Sequence, residues 1–397
     1  MNLAVRLDES LEVFRNEARE WLEANFPSSL KAMAPMAGEE APLPKGGDLG
    51  RWRQVVGERG WATPTWPVQY GGAGLSTESA GVLRQEMRRI GAWIPVDVFG
   101  VTMIGPTLLE YGNEAQKQQH IPRIARGDVV WCQGYSEPGA GSDLASLRTQ
   151  ATDHGDHFVV TGQKIWTSGA QHADWCFCLV RTDNTKKQEG ISFLLIDMTS
   201  PGVEVRPIRL ISGDSPFCEV FFTDVKVPKE NLVGALNGGW TIGKRLLQYE
   251  RESLADEGEG HQHPLHEVAK QYVGVDSEGR LADQELRVRI AANHMDVRAL
   301  QLTLLRAAAE AKGAQGPTTT TSVMKNAASR IEQGRAELLI ETMGHQGLGW
   351  DGPEFAAAEL GSVRSWLGGK AMTIYGGSTE VQNNIISKRI LGLPESR

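Results

Sequence analysis

Apolar residues recur at Leu11, Phe14, Ala18, Trp21 and Leu22, the three-and-four spacing that gives a helix one buried face, and Pro27 closes that helix. Residues 28–48, rich in Ala, Pro and Gly, predict an irregular loop, and amphipathic stretches follow at 52–60 and 76–89. From about residue 127 to 235 the period shortens to that of strands. Apolar runs at 158–161, 175–180, 191–196 and 218–222 are β-branched or aromatic, and turn clusters at 153–156 and 181–184 separate them. Several short strands at this spacing predict a small β-barrel or sandwich. Beyond Gly238 the helical period returns over 239–258, 282–313, 317–343 and 354–392, with a Gly-rich interruption at 344–352. Four long helices with short connections predict a bundle. The expectation is an α+β chain in three parts: helical over 1–126, β-barrel over 127–237, helical bundle over 238–397.

Composition narrows this picture without changing it. At 397 residues the chain is long enough for two or three packed units, and 40% apolar residues is a globular fraction. No run approaches the roughly 18 apolar residues of a membrane span. The start, MNLAVRLDES, lacks a basic region followed by an apolar run, so a cytoplasmic chain without a secretory leader is expected. The four cysteines lie in apolar, strand-like contexts without metal or redox spacing, which predicts reduced, buried thiols. A net charge of −8 argues against a general nucleic-acid surface.

Candidate chemistry concentrates in YSEPGAGSD at 135–143 and GQKIWTSG at 162–169. Pro138, Gly139 and Gly141 make a loop whose backbone can approach a flat ligand, and Ser136, Ser142 and Asp143 add short polar side chains. Trp166 brings an aromatic face with the hydroxyls of Thr167 and Ser168 beside it. Residue by residue, this is as well read as a turn and a core tryptophan. A dinucleotide fingerprint fails, because Leu144 stands where its third glycine belongs.

The two runs resemble the paired flavin-binding signatures of the acyl-CoA dehydrogenase family. GWATPTWPVQYGG at 60–72 and the helical stretch 105–126 are similar to that family's first domain. The resemblance implies FAD as cofactor, with Tyr135, Ser136, Gly141, Ser142, Trp166 and Ser168 around it. It implies α,β-dehydrogenation of an acyl-CoA thioester, electrons passing to an electron-transfer flavoprotein, and a tetramer. Such chemistry needs a carboxylate base in a dry pocket and two hydrogen-bond donors on the thioester carbonyl. In the family one donor is a flavin ribityl hydroxyl and the other a backbone N–H in the last helical segment.

That segment here is TIYGGSTEVQNNI at 373–385, and it departs from the family pattern at one place: Gly376 stands where many members carry the catalytic glutamate. The N–H of Gly376 remains available, and Ser378 and Glu380 match flavin-contacting positions. Other members carry the base at the start of the first bundle helix, before an arginine, and Glu250 next to Arg251 matches that place. Helical spacing alone would make Glu250 one more solvated glutamate, like Glu252. Gln346 and Gly347 match a turn that approaches a neighbouring subunit's flavin, whereas the Arg-Phe-Gly element that meets its pyrophosphate is missing. Arg287 and Arg289 are the nearest substitutes. The absence fits pairing with an unlike subunit, as in the pimeloyl-CoA dehydrogenase-type and steroid side-chain-type members that residues 239–252, 323–341 and 373–394 most resemble. The HxHxxH run of His261, His263 and His266 fixes no ligand geometry, and no metal is expected. Two competing readings are a non-catalytic subunit of a heteromer and an oxygenase of the same fold.

Overall fold

The computed structural model describes residues 9–31, 46–256, 264–311 and 320–394; the side chains of residues 9, 250–256, 308–311 and 320–321 lie outside that description. Two compact units emerge, Met1–Ile208 with Ser215–Leu246 and Arg209–Asp214 with Leu247–Arg397.

The first unit opens with helices α1 (Glu9–Asn25), α2 (Gly47–Glu58), α3 (Thr77–Ile90), α4 (Gly105–Tyr111) and α5 (Glu114–Arg126). Their ends follow local chemistry. Ser76 caps α3 by accepting from Ser79 N–H, and Gly91 ends it with a left-handed φ of 73°. Asn113 and Gln116 form a capping box at α5, and Gly127 ends that helix at φ 69°. Ala18, Leu22, Trp52, Trp61, Leu83 and Met87 make the helical core. Gln116, buried, donates from Nε2 to the carbonyls of Glu230 and Leu232 at 2.7 and 2.9 Å, which ties α5 to the far end of the sheet.

Glu86 is the buried charge of this region. It receives Arg15, Arg19 and Arg89 at 3.1, 3.0 and 2.7 Å and so clamps α1 to α3. Arg19, against the opposing pull of burial and helped by Arg89 and Arg15, holds its carboxyl down to about 2. A depressed folded value means stability present above the ordinary value of 4.5 and lost as pH falls towards 2. Glu86→Gln should therefore lower unfolding free energy at pH 7 by about 2–3 kcal/mol, allowing for solvent around the arginines. In denaturant titrations its gap to wild type should narrow below pH 4.5; a constant gap would assign the loss to packing instead.

The sheet has eight strands: β1 (Trp131–Gly134), β2 (Gln150–Asp153), β3 (His157–Ser168), β4 (Trp175–Arg181), β5 (Ile191–Asp197), β6 (Val203–Ile208), β7 (Phe217–Pro228) and β8 (Leu232–Val233). Its order is β6-β7-β3-β2-β4-β5-β8, with β1 parallel on β4. The four apolar runs expected as strands are all here, but β3 and β7 are longer, at 12 residues each. β3 continues from Phe158 through the whole of GQKIWTS, with its pairing to β7 shifted at Val160/Gly162 and again at Lys164/Thr167. Cys132, Cys176, Cys178 and Cys218 are free and buried in the sheet core with Phe158, Val160, Val220 and Phe222. Burial pushes the Cys178 thiol well above its ordinary range, which makes it unreactive.

The later helices are α6 (Gly239–Asp256), α7 (Leu265–Val273), α8 (Gln284–Ala311), α9 (Thr320–Met343), α10 (Ala357–Gly368) and α11 (Thr379–Ile385). Two boundaries differ from the sequence expectation. The stretch 354–392 is two helices, because the left-handed pair Gly376 (φ 62°) and Gly377 (φ 86°) breaks it and Ser378 caps a new start. The segment before α8 holds α7 and a tight turn in which Asp276 accepts from the N–H groups of Glu278 and Arg280. Leu265, Ala269, Leu286, Ile290 and Leu338 pack α7, α8 and α9 together.

Candidate active site

In the first unit the sequence-selected residues converge where the loop after β1 meets the last part of β3. Glu137 and Ala140 exchange backbone hydrogen bonds at 3.0 Å, closing a hairpin over Pro138 and Gly139. Tyr135 is buried and Ser136 half-buried, and the Ser136 carbonyl accepts from Ile165 N–H at 2.9 Å. Gly141 and Ser142 are exposed, and a Cβ at Gly139 or Gly141 would meet nothing within 4 Å. The loop thus presents bare backbone to open space.

Opposite the loop, β3 bulges. Trp166 sits in the left-handed region at φ 59°, 54% exposed, with its ring perpendicular to that of Phe217 at 6.2 Å. That conformation costs a non-glycine residue about 1–2 kcal/mol and marks a position shaped for something other than packing. Thr167 beside it is fully buried, and its hydroxyl has no partner among the described residues. Ser168 follows, half-buried, at the end of the strand.

Lys164 and Glu137 were not selected from the sequence, yet they hold this arrangement together. Lys164 is 0% exposed, and its Nζ donates to Tyr135 O at 3.0 Å and Glu137 Oε1 at 2.8 Å. Glu137 also accepts from the N–H groups of Arg148 and Thr149 at 2.6 and 2.9 Å. Burial pushes the Glu137 carboxyl up, but the Lys164 charge and these hydrogen bonds hold it below the usual carboxylate range. The sequence signal was the pairing itself: a lysine in a strand can be buried only beside a carboxylate.

The first turns of α6 pack on the same sheet. A Cβ at Gly243 would lie 3.1 Å from Leu179 and 3.5 Å from Tyr135, so glycine lets the helix approach the flavin-motif tyrosine. Glu250 lies later on α6, and its side chain is outside the described residues. So are His261 and His263; His266 pairs with Glu267 at 3.1 Å. Among the described residues no group of three His, Cys, Asp or Glu is placed to hold a metal ion.

The remaining selected residues belong to the second unit. Ser378 caps α11 and accepts from Val381 N–H at 3.4 Å. Glu380 is exposed, and its own N–H, Ser378 and Lys325 hold its carboxyl below the ordinary value. Gln346 donates to Glu359 at 3.1 Å, in a cluster where the Tyr272 hydroxyl reaches the same carboxylate at 2.7 Å. Gly347 is explained by packing, since a Cβ there would lie 2.4 Å from the Ile340 carbonyl. Arg289 pairs bidentately with Glu341 at 2.6 and 2.7 Å, and Arg287 lies 3.9 Å from Asp276, so both are engaged within this unit.

Against known proteins, the chain matches the acyl-CoA dehydrogenase N-terminal domain over residues 8–128, the middle domain over 132–225 and the C-terminal domain over 237–391. It belongs to the acyl-CoA dehydrogenase family. Among relatives, acyl-CoA dehydrogenase IpdE1 of Mycobacterium tuberculosis is 35% identical over 392 residues, 97% of this chain and 98% of that protein. Of solved structures, the Tcur3481-Tcur3483 steroid ACAD is 30% identical with a TM-score of 0.80, covering all of both chains. The ChsE4-ChsE5 complex from Mycobacterium tuberculosis is 29% identical with a TM-score of 0.77, again over all of both chains.

The chain is accordingly an FAD-dependent acyl-CoA dehydrogenase. Its own residues fit that cofactor: an exposed indole on a bulge, a buried hydroxyl awaiting a partner beside it, and a loop of bare backbone suit a flat heterocycle with a polar tail.

Proposed function

We propose that this enzyme oxidises the CoA thioester of a bulky or functionalised acyl group to the 2-enoyl-CoA, with Glu250 as base and an electron-transfer flavoprotein as acceptor. The observation that carries the assignment is the backbone at Gly376. Glycine there, at a left-handed φ of 62°, offers no side chain to take the α-proton, which supports a base on another element. Glu250 follows Gly243 by seven residues, two turns along one face of α6, and Gly243 is where that helix meets Tyr135.

FAD, when bound, supplies the acceptor for the β-hydride. Tyr135, Ser136, Gly141, Ser142, Trp166 and Ser168 would hold and orient it; Ser378 and Glu380 match flavin-contacting positions, and Gln346 and Gly347 match a turn that meets a neighbouring subunit's flavin. Glu250 takes the α-proton, and the Gly376 N–H donates to the thioester oxygen as it gains negative charge. The relative described as a steroid ACAD supports a large alicyclic acyl group.

The assembly we propose is a tetramer with an unlike acyl-CoA dehydrogenase subunit. Two solved neighbours are described by paired names, and one of them as a complex. In addition, Val288, Met295 and Leu302 recur every seven residues along α8 and are exposed, an apolar seam suited to a helix of another subunit.

An anaerobic titration of the purified enzyme with a panel of acyl-CoAs tests the reaction. Saturated thioesters of large acyl groups should bleach the flavin absorbance with formation of enoyl-CoA. Oxygen consumption without enoyl-CoA would instead assign oxygenase chemistry, and flavin that no thioester bleaches would assign a non-catalytic subunit.

A further inference from the structure

Gly376 lies in the segment joining α10 to α11, which holds one 3-10 turn, Gly369–Thr373, and few hydrogen bonds of its own. Side chains from α9 add to these. Ser329, Gln333 and Glu337 recur every four residues and so share one face of that helix. Each reaches the segment. Ser329 Oγ donates to Met372 O at 3.0 Å, Gln333 Nε2 to Gly369 O at 3.0 Å and Lys370 O at 3.3 Å, and Lys370 Nζ donates to Glu337 at 2.6 Å.

At the far end the constraint falls on Gly376 itself. Gln382, 2% exposed, donates from Nε2 to the Gly376 carbonyl at 3.2 Å. A Cβ at Gly377 would lie 2.6 Å from that Nε2, so glycine at 377 is what admits the amide. The Gln382 Oε1 is buried without a partner among the described residues. An unpaired buried acceptor costs about 1–3 kcal/mol, and an apolar side chain of the same length would fill the space without it. The amide is therefore poorly explained by packing and well explained by what its nitrogen holds.

We infer that Gln382 is a positioning residue: it pins the Gly376 carbonyl and with it the peptide plane that follows Gly376, and so limits the rotation about that glycine that would turn the Gly376 N–H away from the thioester oxygen. Ser329 and Gln333 brace the segment from α9. This rests on the reading that the Gly376 N–H polarises the thioester.

The test is the carbonyl stretch of a 2-enoyl-CoA, carbon-13-labelled at the thioester carbon, bound to the holoenzyme. Difference infrared spectra of wild type should show the band shifted down from its value in solution. In Gln382→Met, which keeps the length and removes the donor, the band should move back, with kcat lower by about 10²-fold and KM and flavin content little changed. Gln382→Leu, which likewise removes the donor, should act in the same direction and decides the matter if the methionine variant does not fold. An unshifted band in wild type would overturn the role of the Gly376 N–H. A band shifted in wild type and equally shifted in both variants, with kcat intact, would overturn the role of Gln382 alone.

Discussion

Glu250→Gln should lower kcat by about 10²–10⁴-fold while the flavin stays bound, because the α-proton of a thioester leaves only to a positioned base. Glutamine keeps the shape and hydrogen-bonding capacity of the side chain and removes its basicity. Flavin content and the affinity for a non-reacting enoyl-CoA should consequently change little. An acyl chain that excludes water from the site raises the pKa of a carboxylate beside it above the ordinary carboxylate range. The wild-type rate should therefore fall as pH is lowered through that raised value, and the variant should lose this limb. Glu252 is two residues on, a step of about 200° in an α-helix, so Glu252→Gln should retain near-wild-type turnover. A Glu250→Gln enzyme with full turnover and full flavin would move the base to another residue. It would leave the family assignment untouched, since that rests on matches across the whole chain.

What could be read ahead of the structure follows how local each signal is. The end of the first helix was legible because Pro27 cannot continue it, and α1 stops at Asn25, whereas the Asn113 and Gln116 capping box that divides 105–126 into α4 and α5 was not picked out. The turn over Pro138 and Gly139 was legible because proline fixes φ and glycine tolerates a tight turn. The full length of β3 was not. Gly162, Gln163 and Lys164 interrupt its apolar alternation, and the bulge at Trp166 then reverses which side chains face inward. The left-handed tryptophan is set by that tertiary bulge, and no property of indole announces it. The break between α10 and α11 was written in Gly376, Gly377 and Ser378, but the flanking helical period masked it. The links from Gln382 to Gly376 and from Gln333 to Gly369 depend on how helices pack, so a single chain offered no sign of them.

Lys164→Met should destabilise the sheet unit by about 3–5 kcal/mol, the largest loss of stability expected from any single substitution here. The lysine is fully buried and answers a buried carboxylate, so removing it leaves Glu137 without its counter-charge. Removing both charges is a smaller insult. The double variant Lys164→Met/Glu137→Gln should recover much of the loss, with a coupling energy of about 1–3 kcal/mol. The pH dependence should also change sign. In wild type the Glu137 carboxyl is held below its ordinary 4.5, so its contribution is present above that pH and lost as pH falls. In Lys164→Met the Arg148 and Thr149 hydrogen bonds and the more distant Arg181 charge remain, but burial, the largest influence on this group, pushes the carboxyl above 4.5. That variant should then lose stability as pH rises through 4.5 and recover it in acid. Hydrogen exchange of the β3 amides reads the effect in this unit alone. Since Lys164 also holds the Tyr135 carbonyl, and Glu137 closes the hairpin over Pro138 and Gly139, flavin retention should fall in parallel. Exchange rates in Lys164→Met that match wild type at pH 7, or a double variant no better than the single, would show that the buried pair does not hold the cofactor loop to the sheet.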